Sequence, residues 1–161
     1  MKIIDNYLDK ETFNNISDFM MGSYFPWFYN DAVASIEKRN HLSYFTHGFF
    51  DVDFEIQMSS MYWLIEPLVK QINPKEVIRV KGNLYPNIGT NINDPFHQDY
   101  KFEHKGAIFY INTNNGATIF EDGTRVESVA NRILFFDPTI PHASCRCTDE
   151  KIRVNVNLNY Y

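Results

Sequence analysis

The chain has 161 residues and a formal net charge of −5, with 15 Lys and Arg against 20 Asp and Glu. That length suits one hydrophobic core and is short for two. The acidic balance argues against a protein that lives on phosphate backbones, because such affinity rests on Lys and Arg.

Hydrophobic residues make up 44% of the chain, enough for a packed interior and too many for a disordered segment. Ile (16) and Val (9) outnumber Leu (7) and Ala (6). Branched side chains suit a pleated, half-buried surface, so the composition predicts a β-rich domain with a few helices. Nowhere do 18 apolar residues run together, so no membrane span is expected. Cys145 and Cys147 are too few for a secreted disulfide framework and too close to bridge each other. They read as buried small hydrophobes, and a reducing cytoplasm is the expected setting.

In chain order, residues 2–5 read as a short strand. A helix follows: Asp9 can cap its free amides, Leu8 can pack on Phe13 as a staple, and Phe13, Ile16, Phe19 and Met20 repeat at helical spacing up to Gly22. Tyr24–Asn30 is dense in aromatics and reads as extended, and His41–Phe50 as another strand. Met58–Ile72 reads as a second helix with Met61, Leu64, Ile65, Leu68, Val69 and Ile72 on its apolar face. Pro67 is expected to kink it or to start a second segment, and Asn73-Pro74 ends it. From Glu76 the period changes to two. Strands are predicted at Val77–Tyr85, Lys105–Asn112, Ala117–Phe120, Arg125–Val129, Arg132–Asp137, His142–Cys147 and Arg153–Tyr160, separated by Asn, Asp, Gly and Pro turn signals. Two helices followed by short strands predict a β-sandwich or jelly roll with the helices packed on one sheet. No linker or repeat interrupts it, so residues 1–161 read as one domain.

His97-Gln98-Asp99 is the first chemical signal. In an extended segment, residues two apart point to the same side, so both side chains can reach one ion. His142 supplies a third ligand. Two His and one carboxylate can occupy one face of an octahedron and leave three positions open, the usual arrangement of non-haem Fe(II) oxygenases. Arg153 then opens a strand of strict alternation. Arg153, Asn155, Asn157 and Asn159 face one way and Val154, Val156 and Leu158 the other, so the polar row lines a pocket or faces solvent. An Arg there can clamp a carboxylate with two parallel hydrogen bonds. His41, His47 and His104 lack partners at ligand spacing and read as surface or hydrogen-bonded histidines. Trp27 and Trp63 are assigned to the core or a pocket rim.

With these residues in this order, the sequence resembles the 2-oxoglutarate/Fe(II)-dependent dioxygenases, and among them the prolyl-4-hydroxylase-like branch. Asn83-Leu84-Tyr85-Pro86, Phe109-Tyr110-Ile111-Asn112, Asn114–Gly123 and Arg132–Asp137 add to the match, which covers roughly residues 76–161. The resemblance implies a mainly β fold with flanking helices, a double-stranded β-helix (the cupin-like jelly roll). Residues 1–75 would give helical support and outer strands, and 76–161 the catalytic core. It implies Fe(II) held by His97, Asp99 and His142, and 2-oxoglutarate paired with Arg153. Tyr85, Tyr110, Asn83 and Asn155 become co-substrate-binding candidates. The implied activity is O2-dependent hydroxylation of a C–H bond in a protein or peptide side chain, prolyl included, or in a small molecule, with release of CO2 and succinate.

Asn83-x-Tyr85 and Arg153-x-Asn155 also resemble AlkB-type nucleic-acid dealkylases. Asn159 stands where that branch has a second Arg, however, and the acidic charge disfavours a nucleic-acid partner. A cupin-like metal-binding protein without oxygenase activity is a further alternative. Substrate identity and oligomeric state are not written in these motifs. The candidate substrate surface comprises Tyr24–Asn30, His41–Phe50, the polar row Asn155, Asn157 and Asn159, and the loop Asn87–Pro95, which reads as a lid.

Overall fold

The structure is a computed structural model that describes residues 1–31, 42–52 and 59–161. His41 and Met58, the outer ends of two predicted elements, lie outside these residues. The elements are β1 (Lys2–Ile4), α1 (Lys10–Met21), β2 (Phe28–Asn30), β3 (Tyr44–Asp51), α2 (Tyr62–Ile72) and β4 (Val77–Pro86), then β5 (Lys105–Tyr110), β6 (Ala117–Phe120), β7 (Arg125–Glu127), β8 (Arg132–Phe136), β9 (His142–Cys145) and β10 (Ile152–Tyr160).

Local chemistry sets the helix ends. The Asp9 carboxylate accepts from the Thr12 amide at 3.0 Å, satisfying one of the free first-turn donors. Leu8 and Phe13 both join the main apolar cluster, as a staple requires. Pro67 neither ends nor splits α2. The bond it forgoes is to the carbonyl of Trp63, an exposed residue whose backbone water can solvate. Trp63 belongs to neither core nor pocket rim: it is 56% exposed, with its ring edge-on to Phe19 at 5.6 Å. β5 stops two residues short of the predicted end because Asn112 replaces the ladder with its side chain, accepting from the Val154 amide and donating to the Ile152 carbonyl.

The strands form two antiparallel sheets. The large one has the order β1-β8-β5-β10-β4-β3-β2 and the small one β7-β6-β9. Residues 92–97 run along the free side of β9, with bridges at Asn93–Cys145 and His97–His142. This two-sheet, mainly β architecture with two helices is the predicted fold class. Cys145 and Cys147 are buried and unbridged. Among the described residues no helix is long and apolar enough to cross a membrane.

Alternation along the central strands divides the interior. One face of the large sheet presents Val80, Ala107, Phe109, Ile133, Val154, Val156 and Leu158 to Ile16, Met20, Leu64, Ile65 and Leu68 of the helices. The other face looks toward the small sheet. Over β5 and β8 it is apolar, where Ile108, Tyr110, Leu134 and Phe136 pack with Phe120 and Val126. Over β4 and β10 it is polar. Register pairs Tyr85 with Arg153, Asn83 with Asn155, Lys81 with Asn157 and Arg79 with Asn159. The Asn row of β10 is therefore buried inside the sandwich.

Asn131 ties the N-terminal segment to this body. It sits at φ +61°, a conformation Asn tolerates better than most residues. Its side chain accepts from the Leu8 amide at 2.9 Å and donates to the Leu8 carbonyl at 2.8 Å. Asn131→Ala strands two buried backbone groups and strains the turn, so it should lower the unfolding free energy by about 2–4 kcal/mol. Urea denaturation would measure this, and a loss below about 0.5 kcal/mol would show that the clamp does not matter.

Candidate metal centre

The two histidines are positioned by backbone. His97 and His142 exchange both main-chain hydrogen bonds at 2.9 Å, forming an antiparallel pair that sets their side chains on one face with ring centroids 4.8 Å apart. Each ring places Nδ1 on a carbonyl two residues earlier, Pro95 O at 3.2 Å for His97 and Ile140 O at 3.0 Å for His142. A carbonyl only accepts, so Nδ1 carries the proton and Nε2 is left with its lone pair. This is the second-shell bond that orients a metal-binding imidazole.

Asp99 completes the group, with Oδ2 at 4.0 Å from His142 Nε2. The ligand atoms of His97, Asp99 and His142 all lie within 4.8 Å of one another, a set that could hold a metal ion. Burial alone would raise the Asp99 carboxyl. The Arg79 guanidinium at 2.9 Å, helped by His142 and by the Asn157 amide at 3.2 Å, outweighs burial and holds it below the usual carboxylate range. Burial, and then neighbouring His142, pushes His97 down, which keeps its lone pair free near neutral pH. One carboxylate and two imidazoles match the donor set that a divalent iron centre takes.

Arg153 lies one layer deeper. It is 0% exposed, opposite Tyr85 in the β10–β4 register. Its guanidinium donates to Ser128 Oγ (2.8 Å), Ser144 Oγ (3.2 Å) and Thr118 Oγ1 (3.4 Å), all neutral hydroxyls. Among the described residues no carboxylate lies within 4 Å of it, whereas the other fully buried arginine, Arg146, pairs with Asp94 at 3.2 Å. A buried charge without a partner costs several kcal/mol, so this environment suits an anionic ligand. Gly116 makes room for the side chain: a Cβ there would stand 2.6 Å from Arg153 Cδ.

A cavity of about 180 Å³ is lined by the triad, Thr118 and Ser144 and by Lys81, Asn83, Tyr85, Asn155 and Asn157; Arg153 stands behind this lining, donating to the Thr118 and Ser144 hydroxyls. Tyr85 stacks on Tyr44 at 5.5 Å, and the guanidinium carbons of Arg146 and Arg153 lie 5.7 and 5.4 Å from its ring centroid. Tyr110 is set back from the cavity, and its hydroxyl donates to Thr118 Oγ1 at 2.8 Å. Burial pushes both phenols up, so they stay protonated. Asn83 donates to Asn155 Oδ1 at 3.0 Å.

No protein-family model matches the sequence, and no curated protein does. Solved structures do match over nearly the whole chain. A 2OG-Fe(II) oxygenase family oxidoreductase from Burkholderia pseudomallei superposes with a TM-score of 0.69 at 6% identity, over 98% of this chain and 83% of that one. A prolyl hydroxylase from Trichoplax adhaerens, in complex with a hypoxia inducible factor peptide fragment, gives 0.64 at 14% identity over 99% and 82%. The epimerase SnoN, in complex with Fe3+ and alpha ketoglutarate, gives 0.63 at 10% identity over 98% and 77%. Prolyl 4-hydroxylases are among the further neighbours. The fold is that of the 2OG-Fe(II) oxygenases.

Within this oxygenase fold, sequence reasoning missed the support behind Asp99. His104 places Nδ1 on the Phe102 carbonyl at 2.8 Å, so its Nε2 must accept. That requirement turns the Asn159 amide so that Nδ2 faces both His104 Nε2 (3.0 Å) and Asp99 Oδ2 (3.1 Å), while Oδ1 accepts from Arg79 Nη2 (3.1 Å). Arg79, Asn157 and Asn159 thus hold the carboxylate from behind. One signal was available: Arg79, Lys81, Asn83 and Tyr85 alternate along β4 as the polar row does along β10.

Two outcomes follow from this geometry. Arg79→Gln should weaken Mn(II) binding by about 10- to 100-fold, the usual loss when an outer-shell partner is removed. Calorimetric titration would check it, and unchanged affinity would mean that Asp99 needs no such support. Gly116→Ala should destabilise the fold by about 1–3 kcal/mol through overpacking against Arg153, read as a shift in the denaturant midpoint. Wild-type stability would show that the guanidinium relocates freely.

Proposed function

We propose that the protein is a 2-oxoglutarate/Fe(II)-dependent dioxygenase. It hydroxylates a C–H bond of a protein or peptide side chain, prolyl among the candidates, or of a small molecule, and releases CO2 and succinate. The observation that carries this reading is one cavity with a His-Asp-His group at its wall and an unpaired buried guanidinium behind it. The epimerase neighbour in complex with Fe3+ and alpha ketoglutarate supports the cofactor pair, and the neighbour in complex with a peptide fragment supports a peptide substrate.

His97, Asp99 and His142 would hold Fe(II), which when bound supplies O2 activation coupled to oxidative decarboxylation of 2-oxoglutarate. Arg153 would bind the far carboxylate of the co-substrate, with Thr118, Ser128 and Ser144 fixing the plane of its guanidinium. Tyr85 remains protonated and would serve as a neutral donor beside it, while Tyr110, its hydroxyl committed to Thr118, would help to hold that residue in place. Asn83 and Asn155, joined to each other, would form a polar wall along the co-substrate. Arg79 and Asn159 keep Asp99 ionised and fixed, and the apolar cluster under β5 and β8 keeps water from the deep end. For the AlkB-type alternative, the position expected to be a second Arg is Asn159, already committed to His104 and Asp99.

Fe(II) and 2-oxoglutarate together should raise stability by about 5.5 kcal/mol, about 2.7 from each, when each exceeds its Kd 100-fold, measured anaerobically by thermal unfolding. His142→Ala should abolish metal-dependent succinate release. Arg153→Gln should keep metal affinity and lose at least tenfold in 2-oxoglutarate affinity. Full turnover by His142→Ala would overturn the assignment.

A further inference from the structure

The cavity holds a second cation that the proposed chemistry leaves unused. Lys81 lies on the inward face of β4, between Arg79 and Asn83, and lines the same space as the triad. The charge of Arg79 is answered by Asp99 at 2.9 Å, and Arg153 sits deeper, among hydroxyls. Lys81 has no carboxylate within 4 Å of its ammonium among the described residues. Asp99 and Asp51 act on it only at longer range, while Arg79 repels it. Burial, then Arg79, lowers it to about 8, so it still carries its charge at neutral pH.

Three neighbours shape what could meet that charge. On one side the register places Asn157, whose amide is committed to Asp99. On the other it places the exposed Gly48, where a Cβ would meet nothing within 4 Å among the described residues. Cross-strand partners share a face, so among the described residues the space beside the lysine opens toward solvent. Two residues along the same face, Asn83 keeps Oδ1 buried without a hydrogen-bond partner. Among the described residues nothing negative meets the half-buried ammonium, so a carboxylate entering this space would find the charge unanswered.

We infer that Lys81 and the open floor over Gly48 form an anion subsite that binds a carboxylate of the primary substrate and orients its C–H bond toward the triad. This assignment rests on the oxygenase reading for the identity of the neighbouring ligands and deepens it by naming a substrate class: molecules, or peptide side chains, that carry a carboxylate near the bond to be hydroxylated. The competing use of the charge is the metal-proximal carboxylate of 2-oxoglutarate itself.

Protein saturated with Zn(II) and 2-oxoglutarate is titrated with acetate, and separately with inorganic phosphate, with the 13C-methylated lysine resonances followed by NMR and the affinities measured by calorimetry. Acetate should bind saturably to wild type. Lys81→Met should weaken it at least tenfold, and Gly48→Leu, which fills the floor without altering charge, should weaken it comparably. Arg125→Gln, at an exposed pair with Glu127, should leave it unchanged. The affinity for 2-oxoglutarate should stay within twofold in all variants. The subsite is overturned if acetate binds Lys81→Met as well as wild type, if only phosphate binds, or if Lys81→Met loses tenfold in 2-oxoglutarate affinity, which would give the lysine to the co-substrate. If 2-oxoglutarate does not bind the zinc form at all, the oxygenase reading fails, and the acetate titration of the zinc form alone still decides the Lys81 subsite.

Discussion

Arg153 places a full positive charge inside the sandwich with only hydroxyl groups around it, and much of the architecture can be understood as what such a charge demands. It must be held in a rigid strand, so it stands on β10, paired on both sides by β4 and β5. It must have acceptors that do not cancel it, so Thr118, Ser128 and Ser144 come from the small sheet and its connections. It must have room, so position 116 carries no side chain. Each choice sacrifices apolar burial at the middle of the molecule. The loss is offset elsewhere, chiefly by the cluster between the helices and the outer face of the same strands.

A β-strand can serve both needs because its faces are chemically independent. Val154, Val156 and Leu158 belong to the core under the helices, while Arg153, Asn155, Asn157 and Asn159 belong to the site. The same holds on β4 for Val80 against Arg79 and Lys81. The helices therefore do more than cover a sheet. They stabilise the strands whose other face is committed to polar chemistry.

How much of this could be read in the sequence depended on the range over which each signal acts. The Asp9 cap, the His-x-Asp pair and the alternation of β10 are local, and their spacing alone states which side chains share a face. The mainly β sandwich was legible for the same reason, as was the burial of Cys145 and Cys147. The support of Asp99 was not, because Arg79, His104 and Asn159 meet only through the register of β4 on β10 and the turn before β5, which no spacing encodes. Tyr110 shows the opposite case. Its position in the strand after the His-x-Asp pair was read correctly, but its hydroxyl is taken by Thr118 and stands back from the cavity. Trp63 was misplaced because an aromatic residue on a helix says little about which face it occupies.

The bridge between His97 and His142 has a thermodynamic side. His97 belongs to a stretch that touches the small sheet through few backbone bonds, while His142 begins a regular strand. Any ion shared by the two would close a loop between them, and its retention would be linked to how often that stretch peels away from β9. The seven-stranded sheet meets that stretch through Asp99, held by Arg79 and Asn157. Exchange of such an ion and integrity of the fold would thereby be separable: an ion could be shed and regained by breathing at one margin, with loss of the Asp99 contacts, without unfolding the centre.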